Sequence, residues 1–239
     1  MNTLSEAATS LSNACNKLTP KLRKTVSWVY NPLDYAWEVH KQYLRKYGEL
    51  GGKTILLGMN PGPWGMGQTG VPFGDVSKVR DYLGLSGAVG QPEILHPKRP
   101  VIGLDSNRNE VSGTRLWGAI EDTFGSADEA HANLFVVNHC PLLMFDEAGK
   151  NLTPDKLSGQ SAKELLELCD LHLQQVIEIL GATQVIGVGA YAEKQAKKAL
   201  VGMDIEITRI PHPSPASPLA NRNGGADWRH AVKKVLSEL

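Results

Sequence analysis

Three segments of the chain join residues that could do chemistry to backbone too rich in glycine and proline for regular structure. The first runs Gly58-Met-Asn-Pro-Gly-Pro-Trp-Gly-Met-Gly-Gln-Thr-Gly-Val-Pro-Phe-Gly74, the second Asn138-His-Cys-Pro-Leu-Leu143, and the third Pro211-His-Pro-Ser-Pro-Ala-Ser-Pro-Leu-Ala-Asn221. The Asn60 amide can orient a water or a ligand edge but cannot act as a strong base; before Pro61, its ordinary alternative role is to cap a turn. Trp64, between Pro63 and Gly65, offers a flat indole on a stiff loop. That suits stacking on a planar ring, or equally an anchor folded back on the core. The Asn138 carboxamide carries donors and an acceptor in one plane, so it can pair with two adjacent edge groups of a base. His212, held between Pro211 and Pro213, can donate to a developing oxyanion. Ser214 is a nucleophile in principle, but it has no Gly-x-Ser-x-Gly elbow and no evident acid partner, so turning the chain is its simpler role. His139, Cys140 and His40 read as structural. The first loop carries neither a phosphate-binding Gly-Lys-Ser/Thr nor a dinucleotide fingerprint.

Each of the three segments follows an apolar run. Lys53–Gly58, Leu134–Asn138, Gln184–Gly189 and Ile205–Ile210 fit strands, the first three nearly continuous in apolar residues, as strands covered on both faces are. Helical spacing is found over Pro32–Tyr47, Val76–Leu83, Thr114–Phe124, Leu157–Leu180, Ala190–Leu200 and Ala226–Leu239. The alternation predicts an α/β fold, a three-layer α/β/α sandwich on a short, mostly parallel sheet. Ligands of such sheets bind where the carboxyl ends of the strands open into loops, which would bring the three segments to one rim. Residues 84–110 read as a long surface loop. No repeat or linker divides residues 1–239, so one domain is expected, with residues 1–20 as a loosely ordered or helical extension.

The composition narrows the class of partner. The 239 residues hold 25 Lys and Arg against 25 Asp and Glu, which excludes a polyelectrolyte-type binder. The balance is uneven along the chain: residues 1–120 hold 14 basic against 9 acidic residues, residues 121–180 hold 3 against 11, and residues 181–239 hold 8 against 5. A locally positive groove around the first and last loops remains compatible with neutrality. No apolar run is long enough for a membrane span, and no signal core opens the chain, so a cytoplasmic protein, bacterial rather than nuclear, is expected. Cys15, Cys140 and Cys169 lack zinc-site spacing and read as reduced thiols.

In this order, these motifs resemble the single-strand-selective monofunctional uracil-DNA glycosylase family. Gly58–Met66 matches the family's first motif except for Trp64, where the family has phenylalanine, and His212–Pro215 matches the start of the second. Tyr30–Trp37, Gln68–Gly74, His96–Pro100, Glu110–Gly113, Cys140–Leu143 and Asn151–Pro154 extend the likeness over nearly the whole chain from about Val26. The resemblance implies the uracil-DNA glycosylase fold and hydrolysis of the N-glycosidic bond of uracil, and of related damaged bases, in single- and double-stranded DNA. It implies no cofactor, no metal and no associated strand cleavage, and the protein is expected to be a monomer.

The resemblance also assigns roles. Asn60 would position the attacking water, and His212 would stabilise charge on the departing base. Asn138 would read N3 and O4, Trp64 would lie beneath the flipped base, and Met59, Gly62, Met66 and Phe73 would complete the pocket. Pro213, Ser214, Pro215, Ala216, Ser217, Leu219, Asn221 and Arg222 would meet DNA. The family continues its second motif with Arg-Asn, where this chain has Ala216 and Ser217; Leu219 or Arg222 would then have to replace the missing wedge. Two other readings stand beside this one: a lesion- or nucleotide-binding module that has lost catalysis, and an acyl or phosphoryl hydrolase using Ser214 and His212.

Overall fold

The computed structural model describes residues 3–239; Met1 and Asn2, the first residues of the expected extension, lie outside the described residues. In chain order the elements are α1 (Leu4–Leu22), β1 (Trp28–Tyr30), α2 (Pro32–Tyr35), α3 (Trp37–Tyr47), β2 (Thr54–Gly58), α4 (Met66–Thr69) and α5 (Val111–Phe124). There follow α6 (Ala127–Asn133), β3 (Leu134–Asn138), β4 (Leu143–Phe145), α7 (Gln160–Leu180), β5 (Gln184–Val188), α8 (Ala190–Ala199), β6 (Glu206–Ile210), α9 (Pro218–Asn221) and α10 (Ala226–Leu236). Between α4 and α5, a π-helical turn at Lys78–Tyr82 and a 3-10 turn at Gly103–Asp105 interrupt an otherwise irregular stretch.

The central sheet has the order β3-β2-β5-β6, and every pairing in it is parallel. All residues of β2 and β3 are buried, so both faces of these strands are covered, as their continuous apolar runs require. Of the two edge strands, β3 is buried and β6 is the more exposed. The chain leaves β2 toward β3, then crosses back past β2 to β5 and on to β6. The carboxyl ends of β2 and β5 therefore flank the point where strand order reverses, the usual place for a ligand crevice.

Several elements differ from the sequence expectation: Pro32–Tyr47 is divided into α2 and α3, Val76–Leu83 forms the π-helical turn instead of an α-helix, and the short helices α4, α6 and α9 are additional. β1 and β4 form a separate antiparallel ribbon, with Val29 opposite Met144; three residues are too short to show a period. The N-terminal segment is not an appendage. α1 starts at a Thr3 cap that accepts from the Glu6 N–H, and it buries Leu11, Cys15, Leu18 and Leu22 against Val26, Val29, Met144, Leu165 and Cys169. Met66 belongs to the same cluster, so α1 backs one wall of the site described below. The single proline within α1, Pro20, lies in its last turn. All three cysteines are buried and free, and among the described residues no helix is long and apolar enough to cross a membrane.

Because Leu11 is only 5 % exposed, Leu11→Ala is expected to lower unfolding stability by about 2–5 kcal/mol in chemical denaturation, the range for a truncated core leucine. A change within about 0.5 kcal/mol, typical of surface positions, would mean that α1 does not share the cooperative core.

Candidate active site

A cavity of about 380 Å³ opens at the carboxyl ends of the strands, lined by residues from all three motif loops. Of the expected residues it gathers Met59, Asn60, Gly62, Met66, Phe73, Asn138, His212 and Ser214; Glu110, Ser112, Asn151 and Thr153 complete the wall.

The parallel register sets Gly58, the last residue of β2, opposite Asn138, the last of β3. A side chain at position 58 would run into the Asn138 amide oxygen and the Phe73 ring. Glycine there leaves open the space between a planar amide and an aromatic face. Asn138 is buried, its Nδ2 donates only to the Met66 sulfur at 3.2 Å, and its Oδ1 has no partner. A buried amide left with one weak bond is costly unless a ligand supplies the rest.

Phe73 has φ 52, a left-handed conformation that costs a non-glycine residue about 1–3 kcal/mol. The surroundings hold it there. The Trp117 indole N–H donates to the Pro72 carbonyl at 3.2 Å, the Asp75 N–H to the Phe73 carbonyl at 2.8 Å, and the Thr69 hydroxyl to the Gly74 carbonyl at 3.0 Å. Gly113, in the first turn of α5, lets that backbone approach, since any Cβ there would meet the Phe73 carbonyl. The result aims the Phe73 ring at the cavity, 6.2 Å from the His212 ring.

Asn60 is oriented by a second amide. Its Nδ2 donates to the Asn151 Oδ1 at 3.3 Å and to the Pro61 carbonyl at 3.3 Å, while the Asn151 Nδ2 donates to the same carbonyl at 3.0 Å. With the donor end so engaged, Asn60 Oδ1 is the atom left to accept a hydrogen bond, for example from a water in the cavity.

The tautomer of His212 follows from its neighbours. Its Nδ1 accepts the Ser214 N–H at 3.0 Å, so the proton of the neutral ring sits on Nε2, which becomes a donor. Burial lowers the pKa of His212 below the ordinary histidine value, keeping the ring neutral near pH 7. Gly189, at φ +95, leaves room for it: a Cβ there would come within 3.1 Å of the His212 Cβ.

Glu110 caps α5 and lies against the first loop; a Cβ on Gly62 would meet its carboxylate. Burial raises its pKa, the hydrogen bonds from Ser112 oppose that shift, and nearby Asp75 adds to it. Asp75, 3 % exposed, ties this corner together by accepting the Glu110 N–H at 2.8 Å and the Ser77 hydroxyl at 2.6 Å. Neither Glu110 nor Asn151 carries a motif signal of its own, although both lie in segments that contributed to the family likeness.

Trp64 does not line the cavity. Its indole lies with the guanidinium carbons of Arg108 and Arg99, 4.8 Å and 5.6 Å from the ring centre. Trp64, expected beneath a flipped base, thus lies outside the cavity lining, and the aromatic residue that lines it is Phe73, nine residues further on, which the strained turn brings back to the cavity.

The third loop is braced from behind. Arg115 donates to the Pro213 carbonyl at 2.8 Å and to Asn221 Oδ1 at 3.3 Å, and the Trp228 indole donates to the Pro211 carbonyl at 2.7 Å. Ser214 Oγ accepts the Ala216 N–H at 3.1 Å, and His212 Nδ1 faces the Ser214 backbone rather than its hydroxyl. That geometry does not fit a Ser214–His212 nucleophile–base pair. Pro215 and Ala216 are exposed and Ser217 and Leu219 half-buried, a tip available to a partner, whereas the Arg222 guanidinium is paired with Asp227 at 3.0 Å.

The Uracil DNA glycosylase superfamily model matches residues 45–236, which span the parallel sheet and all three loops of the pocket. The chain is 44% identical over 216 residues to the single-strand selective monofunctional uracil-DNA glycosylase of Rattus norvegicus, covering 90% of this chain and 76% of that one. It has the same identity to the Bos taurus protein, covering 90% and 78%. The chain belongs to the single-strand selective monofunctional uracil-DNA glycosylase family. Its fold is also that of the crystal structure of WT Pedobacter heparinus SMUG2, with a TM-score of 0.65 at 17% identity, covering 100% of this chain and 97% of that one.

Two expectations follow from the titrating groups. Because the neutral His212 is the form set up to donate, and burial lowers its pKa, the acid-side fall in turnover is expected to be centred below the ordinary histidine value. A pH–rate profile breaking at the ordinary histidine value would show His212 to be solvated during the reaction. For Glu110 the raised pKa means the folded state favours the protonated form. Stability is then full below the unfolded glutamate pKa and is lost as pH rises through the folded value. Glu110→Gln is therefore expected to melt at a higher temperature than the parent at pH 7, with the gap closing toward pH 4 in thermal denaturation.

Proposed function

We propose that the protein is a monofunctional DNA glycosylase that hydrolyses the N-glycosidic bond of uracil, in single-stranded and, less readily, duplex DNA. The observation that carries this reading is the unsatisfied Asn138 amide facing Phe73 across Gly58. Uracil presents an N3–H donor beside an O4 acceptor, matching an amide's oxygen and NH₂. Cytosine presents an acceptor at N3 beside an amino donor, and pairs poorly with an amide held that way round by the Met66 sulfur.

The transition state is cation-like at the sugar with negative charge on the leaving base. Asn60 Oδ1, fixed by Asn151, accepts from the water that attacks the anomeric carbon. His212 Nε2–H donates to O2 as the base departs; a neutral imidazole does this without a charge that would bind the ground state equally. The Glu110 carboxylate, when ionised, favours positive charge on the sugar. A base must leave its stack to enter a closed pocket, which costs least in single strands.

The test is a labelled single strand carrying one uracil. The full chain is expected to release the base and leave an alkali-labile abasic site without cutting the strand. Asn60→Ala should slow single-turnover release by about 10²–10³-fold, the scale for losing one positioned group, while binding of the strand changes little. Glu110→Gln should be slower despite its greater stability. A catalytically silent binding module would instead retain the strand and release no base even at enzyme excess, and that result would sink the proposal.

A further inference from the structure

Trp64 and its two arginines form a built arrangement that the cavity does not use. Gln68, 1 % exposed, staples two loops together. Its Nε2 donates to the carbonyls of Pro63 at 2.8 Å and Pro100 at 3.0 Å, and its Oε1 accepts from the N–H groups of Ile102 at 2.7 Å and Gly103 at 3.1 Å. Arg99 is fixed further by its Nε, which donates to the Gly149 carbonyl at 2.6 Å, and by its own carbonyl, which accepts from the Tyr30 hydroxyl at 3.0 Å. Trp64 thus meets Arg99 and Arg108 on a surface set by buried hydrogen bonds, not by chance contact of long side chains.

Two features mark this surface as a place for a ligand. Among the described residues neither Arg99 nor Arg108 is ion-paired, a condition shared with Arg45 and with Arg115, which braces the third loop, whereas Arg23, Arg80, Arg209, Arg222 and Arg229 each lie on a carboxylate. The surface also borders the cavity through the chain itself: Pro63, beside Trp64, and Glu110, two residues after Arg108, both line the cavity. A half-exposed indole and two guanidiniums without a carboxylate partner match the two repeating groups of a single strand, a base face and a phosphate.

We propose that Trp64, Arg99 and Arg108 bind the DNA strand next to the nucleotide held in the cavity, Trp64 stacking on a neighbouring base and the guanidiniums taking a phosphate. The proposal rests on the glycosylase reading for the identity of the strand. Stacking on Trp64 requires a base with a free face. The site therefore favours single strands over duplex, whose internal bases already stack on one another.

The test measures binding of the full chain to a labelled single strand and its duplex, both without uracil, over a series of salt concentrations. Arg108→Ala is expected to weaken single-strand binding three- to tenfold at low salt and to reduce the slope of log K on log salt by about 0.7, one phosphate's worth. Arg108→Glu should weaken it further. Trp64→Leu should weaken the single strand about tenfold, with less effect on duplex and little on the salt slope. An unmoved slope in both Arg108 variants overturns the proposal, as does a Trp64→Leu loss equal on the two substrates. Because these strands contain no uracil, the outcome is independent of base release. A parent protein that binds as described but frees no uracil would leave this site standing and remove the activity.

Discussion

The structure around the site depends on one absence, the missing side chain at position 58. Parallel pairing forces the ends of β2 and β3 into register, so whatever stands at Gly58 stands beside Asn138. With any other residue the amide, the Phe73 ring and the space between them could not coexist. Sheet register, a property of the whole fold, is thereby converted into the placement of a single amide. The same economy recurs at Gly189, whose bare backbone accommodates His212, and at Gly113, which admits the carbonyl of Phe73.

Around this opening the protein spends stability on orientation. Phe73 sits in a left-handed conformation, the Asn138 oxygen is buried without a partner, and the Glu110 carboxylate is buried at a raised pKa. Each is unfavourable in itself, and on the proposed function each serves a planar base and a charged transition state. The offsetting stability comes from behind. Trp117, Thr69 and Asp75 hold the turn, Arg115 and Trp228 hold the third loop, and the core formed with α1 supports Met66. Sites built this way are rigid because their strained members are over-determined by neighbours that never touch the ligand.

What could be read from the sequence followed from range of interaction. Three of the four sheet strands are nearly continuous apolar runs, a local signal, and all four appear within a residue or so of where they were expected. The motif loops converge as the rule for parallel sheets requires, and Asn60, Asn138 and His212 arrive at one cavity. What could not be read depended on the path of irregular chain. Trp64 and Phe73 are aromatic residues of the same loop, and only the turn at Gly70–Gly74 decides which one faces the cavity. Asn151 and Glu110 act through side-chain geometry set by long loops with no period to read. α1 is a different case: Leu4, Leu11, Cys15, Leu18 and Leu22 keep helical spacing, but small and polar neighbours dilute the stripe and Pro20 masks its end.

Zero net charge acquires its meaning once the ion pairs are placed. Lys21, Arg23, Lys198, Arg222 and Arg229 all lie on acidic partners, so much of the basic surface is neutralised where it stands. Exposed pairs of this kind add little stability, but they keep diffuse positive field off those parts of the surface. Like Arg45 and Arg115, Arg99 and Arg108 lie on no carboxylate among the described residues, and they meet the half-exposed indole of Trp64 next to the cavity. A protein that scans undamaged strands must release them quickly, which argues against a broad positive face whose affinity grows with every phosphate covered. Two guanidiniums without a carboxylate partner beside the pocket tie part of the electrostatic attraction to the place where a base can enter. Charge neutrality overall and a positive rim locally are then two aspects of the same requirement.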